Sequence, residues 1–156
     1  MPNTPALIGC GASGLYANSF ASLDQRNLAE SILSSVGLSY WFDDERHLDT
    51  VTALSGSGPA YFFLMIEAMQ AAGQMLGLPE DIARSLTLQT AYGAARLALE
   101  SGEDIKVLRQ RVTSPGGTTE RALQVFEKGN FKQLIHQALS AAKIRAEEIS
   151  KEEKNG

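Results

Sequence analysis

The sequence predicts a mainly helical protein, with an all-helical domain over residues 51–156 preceded by a small α/β piece over residues 1–50. Three observations carry that expectation. Hydrophobic residues make up 44% of the 156, enough for a packed core and too many for a disordered chain. From residue 51 onward, apolar residues recur at helical spacing between glycine and proline punctuation. Before it, short apolar runs flank one amphipathic stretch, which is the pattern of strand, helix and strand.

Taken in order, residues 5–20 are rich in small and apolar residues without helical spacing, the mark of one or two short strands. From Asp24, the residues Leu28, Ala29, Ile32, Leu33 and Val36 share one helical face, and Gly37 is expected as its left-handed C-cap. Leu38-Ser39-Tyr40-Trp41-Phe42 reads as a strand, ended by Asp43, Asp44 and Glu45. Two strands and one helix leave a sheet face and an edge without partners, so this piece is too small to stand as a domain.

A long helix is expected from Pro59, in its first turn, to Leu76, with Ser57 as a candidate cap and Gly77 as the stop. Phe62, Phe63, Leu64, Met65, Ile66 and Met69 make it apolar on nearly all faces. A helix apolar all round must be covered on all sides, which points to a subunit interface. Pro79, Glu80 and Asp81 restart helix to about Ser101, and Gly102 ends it. Within that helix the small residues Ala91, Gly93, Ala94, Ala95 and Ala98 permit close helix approach. Asp104 caps a third helix, and a break follows at Ser114-Pro115-Gly116-Gly117. A fourth helix runs from near Thr118 to Gly129. The fifth runs from Phe131 to about Glu153, with Leu134, Ile135, Ala138, Leu139, Ala142 and Ile149 facing inward and a frayed tail over residues 151–156.

Composition excludes several classes of function. A net charge of −4 with no basic cluster argues against nucleic acid as a partner. The most apolar stretch, residues 60–76, is interrupted by Glu67, Gln70 and Gln74, so no membrane partner is expected. The single cysteine, Cys10, rules out an internal disulfide and fits a reducing, cytoplasmic location. No secretory signal opens the chain. His47 and His136 lack metal-ligand spacing, and the charged run from Glu147 to Lys154 reads as a solvated helix end.

Three glycine-rich motifs remain. Gly9-Cys10-Gly11-Ala12-Ser13-Gly14 fits the dinucleotide fingerprint G-x-G-x-x-G, but that fingerprint needs a strand before it and a helix directly after. Here Leu15 to Phe20 alternate like a strand, so the glycines are read as a bulge or turn. Ser55-Gly56-Ser57-Gly58-Pro59 is a helix entry that also lets a ligand approach the backbone. Ser114-Pro115-Gly116-Gly117-Thr118-Thr119 supports two readings on its residues alone. One is a helix–helix corner capped by Gly117 or Thr118. The other is an anion site in which the N–H groups of Gly117, Thr118 and Thr119 point outward at a helix N-terminus.

These motifs in this order resemble the pyrroline-5-carboxylate reductase family. The blocks that carry the resemblance are Met1-Pro2-Asn3-Thr4-Pro5-Ala6, Leu33-Ser34-Ser35-Val36-Gly37, Thr52-Ala53-Leu54-Ser55-Gly56-Ser57-Gly58-Pro59-Ala60-Tyr61, Met75-Leu76-Gly77-Leu78-Pro79 and Val112-Thr113-Ser114-Pro115-Gly116-Gly117-Thr118-Thr119. The resemblance implies that residues 1–50 are the end of a Rossmann cofactor domain whose fingerprint turn lies before the block that opens this chain. It implies that residues 51–156 form the helical dimerisation and substrate-binding domain, pairing into a homodimer, with decamers in some members. The family reduces 1-pyrroline-5-carboxylate to L-proline by hydride transfer from NADPH or NADH to the imine carbon.

By the same resemblance, Ser114, Gly116, Gly117, Thr118 and Thr119 bind the substrate, with backbone N–H groups on its carboxylate. The Thr119 hydroxyl sits beside the ring nitrogen as the catalytic group, and Ser114 borders the site. Asn3, Thr4, Ser55 and Gly56 lie on the cofactor side. Neither a bound cofactor nor activity is expected of the chain by itself. The competing reading is a non-catalytic helical dimerisation module in which the Ser114–Thr119 segment is only a corner. A helical domain from another imine or β-hydroxyacid reductase is a third reading, disfavoured by that segment.

Overall fold

A computed structural model describes residues 1–155 of the chain. It divides into two compact units, one formed by residues 1–62 with the helix that follows Ile135, the other by residues 63–134.

In the first unit, a 3-10 turn over Thr4–Ile8 leads into β1 (Gly11–Leu15), α1 (Leu23–Ser34) and β2 (Gly37–Trp41). β1 and β2 pair in parallel, with Gly11 opposite Gly37 and Leu15 opposite Trp41, so the strand–helix–strand expectation describes this region. α1 starts with a reciprocal cap: the Ser22 hydroxyl accepts from Gln25 N–H at 3.2 Å, and Gln25 Oε1 accepts from Ser22 N–H at 2.8 Å.

One local reading is narrowed and one is corrected. Of the one or two short strands expected over residues 5–20, the structure has one, β1, while residues 4–8 are a 3-10 turn, because Pro5 has no N–H for a ladder and the backbone closes through Gly9 at φ 72°. Gly37 does not cap α1, which ends at Ser34 with Ser35 as its C-cap. With φ at 150° it opens β2, where a Cβ would lie 2.1 Å from the Gly11 carbonyl oxygen. Only glycine lets the two strands meet there.

Beyond β2 the sequence suggested no element before Pro59. The structure places α2 (His47–Val51) there, followed by a π-helical turn over Thr52–Gly56. The turn is closed by Ser57 N–H donating to the Thr52 carbonyl at 2.8 Å. The Thr52 and Ser55 hydroxyls donate back to the carbonyls of Leu48 and Val51. α3 (Gly58–Met75) then begins.

The second unit holds the remainder of α3, then α4 (Glu80–Glu100), α5 (Ile105–Arg111), α6 (Thr118–Lys128) and the start of α7 (Phe131–Asn155). The helix stops are those the glycines announce. Gly77 at φ 102° ends α3 and Gly102 at φ 66° follows α4. The Asp104 carboxylate accepts from Lys106 N–H at 2.8 Å and caps α5. Pro79 is the N-cap of α4 itself, one residue outside the first turn. Gly129 caps α6 with negative φ, and the left-handed residue is Asn130 at φ 54°. α7 runs to Asn155, with Arg145 pairing with Glu148 and Glu152 along it. Gly156 lies outside the described residues.

Burial is thin throughout. The buried apolar residues are Leu15, Ala53, Ala83 and Ala146. Phe62 is 72% exposed and Phe63 66%. On α7, Leu134, Ile135, Ala138 and Ile149 are exposed rather than inward-facing, and Ala146 is the buried position. The accessible surface is 11836 Å², whereas two separate compact bodies of half the mass would expose about 9,200 Å² together. The α3 face of the second unit, with Met65 and Met69, forms an open apolar hollow with Leu123, Phe126 and Phe131. These faces are apolar without being covered by the chain itself. No helix among the described residues is long and apolar enough to cross a membrane.

Candidate functional site

The turn before α6 is built by two glycines with different tasks. Gly116 sits at φ 72°, left-handed, and reverses the chain after Pro115. Gly117 is the N-cap, extended at φ −82° and ψ 174°, without a side chain to satisfy the helix. Its N–H donates to the Ser114 carbonyl at 3.0 Å, closing a tight turn. The Gly116 N–H donates to Glu120 Oε2 at 2.7 Å. Glu120 is the third residue of the helix, the place from which an acid reaches back over a helix entry. It was absent from the sequence-derived site, although its spacing from Gly117 was a usable signal.

The first N–H groups of a helix have no partner within it. In α6, the Thr118 and Thr119 N–H groups receive no hydrogen bond acceptor from the described residues. Ser114, Gly116 and Thr118 are exposed, whereas Gly117 and Thr119 are half-buried. The turn thus offers three consecutive backbone donors, the N–H groups of Thr118, Thr119 and Glu120, with two threonine hydroxyls and the positive end of an eleven-residue helix. Chemically that can hold an anion with the geometry of a carboxylate. It supplies neither a nucleophile nor a strong base.

Asn3, Thr4, Ser55 and Gly56 belong to the first unit, and the structure ties two of them, Asn3 and Ser55, together. Asn3 Nδ2 donates to the Ser55 carbonyl at 3.0 Å, while Asn3 Oδ1 accepts from Ala12 N–H at 2.9 Å. One side-chain amide therefore joins β1 to the π-helical turn. Gly56 packs where a Cβ would lie 2.6 Å from the Met1 methyl. Thr4 is exposed at the start of the 3-10 turn. The G-x-G-x-x-G segment behaves as the rejected fingerprint should. Gly11 and Gly14 lie inside β1 itself, and the next helix starts only at Leu23. The strand runs through these glycines rather than after them, which corrects the reading of residues 15–20.

Other candidates carry no chemistry. Cys10 is exposed. The His47 ring leans on Phe42, with centroids 5.6 Å apart. No cluster of metal-ligating side chains occurs among the described residues.

Comparison with known proteins places the chain in a family. Residues 45–149 match the family described as pyrroline-5-carboxylate reductase dimerisation. A pyrroline-5-carboxylate reductase of Pseudomonas aeruginosa is 54% identical over 152 residues, covering 97% of this chain and 56% of the relative. The solved structure of a pyrroline-5-carboxylate reductase from Coxiella burnetii superposes with a TM-score of 0.90 at 53% identity, over 95% of this chain and 55% of that one. The Plasmodium falciparum pyrroline carboxylate reductase with NADP bound gives 0.86 at 33% identity, over 94% and 59%. The chain thus spans about half the length of the relatives it matches. With the dimerisation family matched over most of its residues and its helices and small parallel sheet shared with the solved reductases, the chain belongs to the pyrroline-5-carboxylate reductase family.

Proposed function

We propose that this chain, residues 1–50 as the end of a cofactor domain and 51–156 as the helical domain, serves two tasks in a pyrroline-5-carboxylate reductase. It pairs subunits, and it holds the substrate carboxylate at the N-terminus of α6. The carrying observation is the pair of open N–H groups at Thr118 and Thr119 on a turn fixed from within. 1-Pyrroline-5-carboxylate and its product L-proline both bear a carboxylate next to the ring nitrogen. A carboxylate on those two N–H groups leaves the Thr119 hydroxyl within reach of that nitrogen, with Ser114 at the border. Orientation of the ring is the contribution such a turn makes to a reduction. Asn3, Thr4, Ser55 and Gly56 serve the cofactor side, Asn3 by fixing the turn that carries Ser55.

The reduction needs a hydride donor, NADPH or NADH. Among the described residues no glycine turn joins a strand directly to a helix to seat its diphosphate, so the residues present do not fit that group. We therefore expect no NADPH-dependent proline formation by the purified chain, assayed by nicotinamide absorbance. Measurable turnover would overturn this division of labour. The uncovered faces of α3 and α7 favour a homodimer in the cytoplasm, with higher assembly open to it. Sedimentation should show a dimer, and Phe63→Asp should shift it toward monomer. A wild-type chain that is strictly monomeric would refute the pairing role.

A further inference from the structure

The donors of the Ser114–Thr119 turn are not equivalent. We infer that Glu120 is a positioning residue that withdraws Gly116 from the ligand and aims the donors of Thr118 and Thr119 at it. This rests on the substrate-loop reading above and narrows it. All four N–H groups from Gly116 to Thr119 were candidates for the carboxylate. Two of them are already engaged, Gly117 by the Ser114 carbonyl at 3.0 Å and Gly116 by Glu120 Oε2 at 2.7 Å. Of those four, Thr118 and Thr119 are left to the carboxylate of a ligand, and the Glu120 N–H that follows them on the first turn is likewise without an acceptor among the described residues.

Without an anchor this turn would be loose. Gly116 and Gly117 have the largest backbone freedom of any residue type. Nothing lies within 4 Å of the position a Gly116 Cβ would take, so packing does not restrain that residue. Gly117 caps without a side chain. The Glu120 contact ties Gly116 to the rigid helix itself. A preformed turn avoids an ordering cost on binding. Glu120 never needs to touch the ligand for this effect.

The test uses the chain as it exists, with L-proline as the probe. Amide exchange and proline titration, both read residue by residue by NMR, are compared for wild type, Glu120→Gln and Glu120→Ala. Glutamine keeps an acceptor oxygen at the same reach, and alanine removes it. Expected are protection at Gly116 in wild type and Glu120→Gln, and proline-induced shifts at Thr118 and Thr119 but not at Gly116. Glu120→Gln should bind proline within about two-fold of wild type, and Glu120→Ala should lose Gly116 protection and bind about five-fold more weakly, the worth of one ordinary hydrogen bond. Exchange at Val125 to Gly129 reports whether α6 as a whole has frayed; a loss of affinity matched there would reduce Glu120 to a helix cap and overturn the proposal. Tighter proline binding by both variants would also overturn it, since Glu120 would then be a competitor for the site. Absence of proline shifts in wild type would sink the substrate-loop reading, while exchange at Gly116 without ligand still decides the Glu120 contact.

Discussion

Two turns in this chain have nearly the same composition and opposite polar economies. Ser55-Gly56-Ser57-Gly58 leads into α3, and Ser114-Pro115-Gly116-Gly117 leads into α6. In the first, the backbone is largely answered from within. Ser57 N–H reaches Thr52, Ala60 N–H reaches Ser57, Pro59 has no N–H, and the Ser55 carbonyl is taken by Asn3. In the second, the internal bonds stop at Gly117, and the donors of Thr118 and Thr119 remain open. Glycine and serine before a helix therefore do not define an anion site. The deciding question is where each N–H goes. On that count the turn before α6 has donors free to meet a ligand, as proposed, and the turn before α3 is held from within.

The comparison is broken most severely at the glycines. Gly116 requires a left-handed backbone, φ 72°, and an alanine there costs about 1–2 kcal/mol. Gly58 opens α3 with no positive φ and nothing within 4 Å of a would-be Cβ. Gly116→Ala should therefore destabilise the chain by about 1–2 kcal/mol and abolish detectable proline shifts at Thr118 and Thr119. Gly58→Ala should be neutral or stabilising by up to about 1 kcal/mol. Urea unfolding checks both. Equal effects at the two positions would remove the distinction drawn between the turns.

Asn3 gives the next largest effect. Its two hydrogen bonds span 9 and 52 residues of sequence. Each is worth about 0.5–1.5 kcal/mol. Asn3→Ala should cost about 1–3 kcal/mol and release amide exchange at both Ala12 and Ser57. Asn3→Asp keeps an acceptor for Ala12 and loses the donor to Ser55, so Ala12 should stay protected while Ser57 does not. Loss at Ala12 alone would show that the π-helical turn stands without Asn3.

Thr119 is expected to matter less to stability than to chemistry. In a protein joining this chain to a cofactor-binding domain, Thr119→Ala should lower kcat/KM about five- to ten-fold through loss of one hydroxyl contact to the ring nitrogen. Unfolding of the chain should be unchanged within about 0.5 kcal/mol, because Thr119 is neither cap nor core. An unaltered kcat/KM would remove Thr119 from the mechanism.

What could be read from the sequence differs between these regions for a physical reason. The ends of α3, α4, α5 and α6 are set by neighbours in sequence: Gly77, Gly102, Asp104 and Gly117 act within a turn or less. Such effects are visible in a one-dimensional pattern. The same holds for the open donors at Thr118 and Thr119, and Glu120 was recoverable from its place three residues after the cap. Gly37 was misread because its partner, Gly11, lies across a strand pair. The π-helical turn at Thr52–Gly56 was invisible because its hold on Asn3 crosses most of the first unit. Long-range bonds have no periodicity. The apolar faces of α3 and α7 were legible as faces needing cover, and their exposure in one chain is what the proposed pairing of subunits would relieve.

The smallest expected effect concerns how the held turn is entered. The Asp44 carboxylate receives the Arg46 side chain at 2.5 Å and the Arg46 backbone N–H at 2.9 Å, just before α2 and the π-helical turn. The Arg46 side-chain hydrogen bonds, then its backbone N–H, hold the Asp44 carboxyl down from 3.8 to about 2. A group whose folded value is depressed favours the folded state when ionised. Its contribution is therefore present at neutral pH and lost as pH falls from about 4 to about 2. The pair is open to water, so salt should weaken it. Asp44→Asn should lower neutral stability slightly and thereby flatten the acid limb between those pH values, with the difference from wild type vanishing below about pH 2. It should do nothing to proline binding at Thr118 and Thr119, because the entry to one turn is not expected to govern the donors of the other. A proline affinity that follows Asp44 would mean that the two turns act together, and the separation of a held turn from a receiving turn would have to be given up.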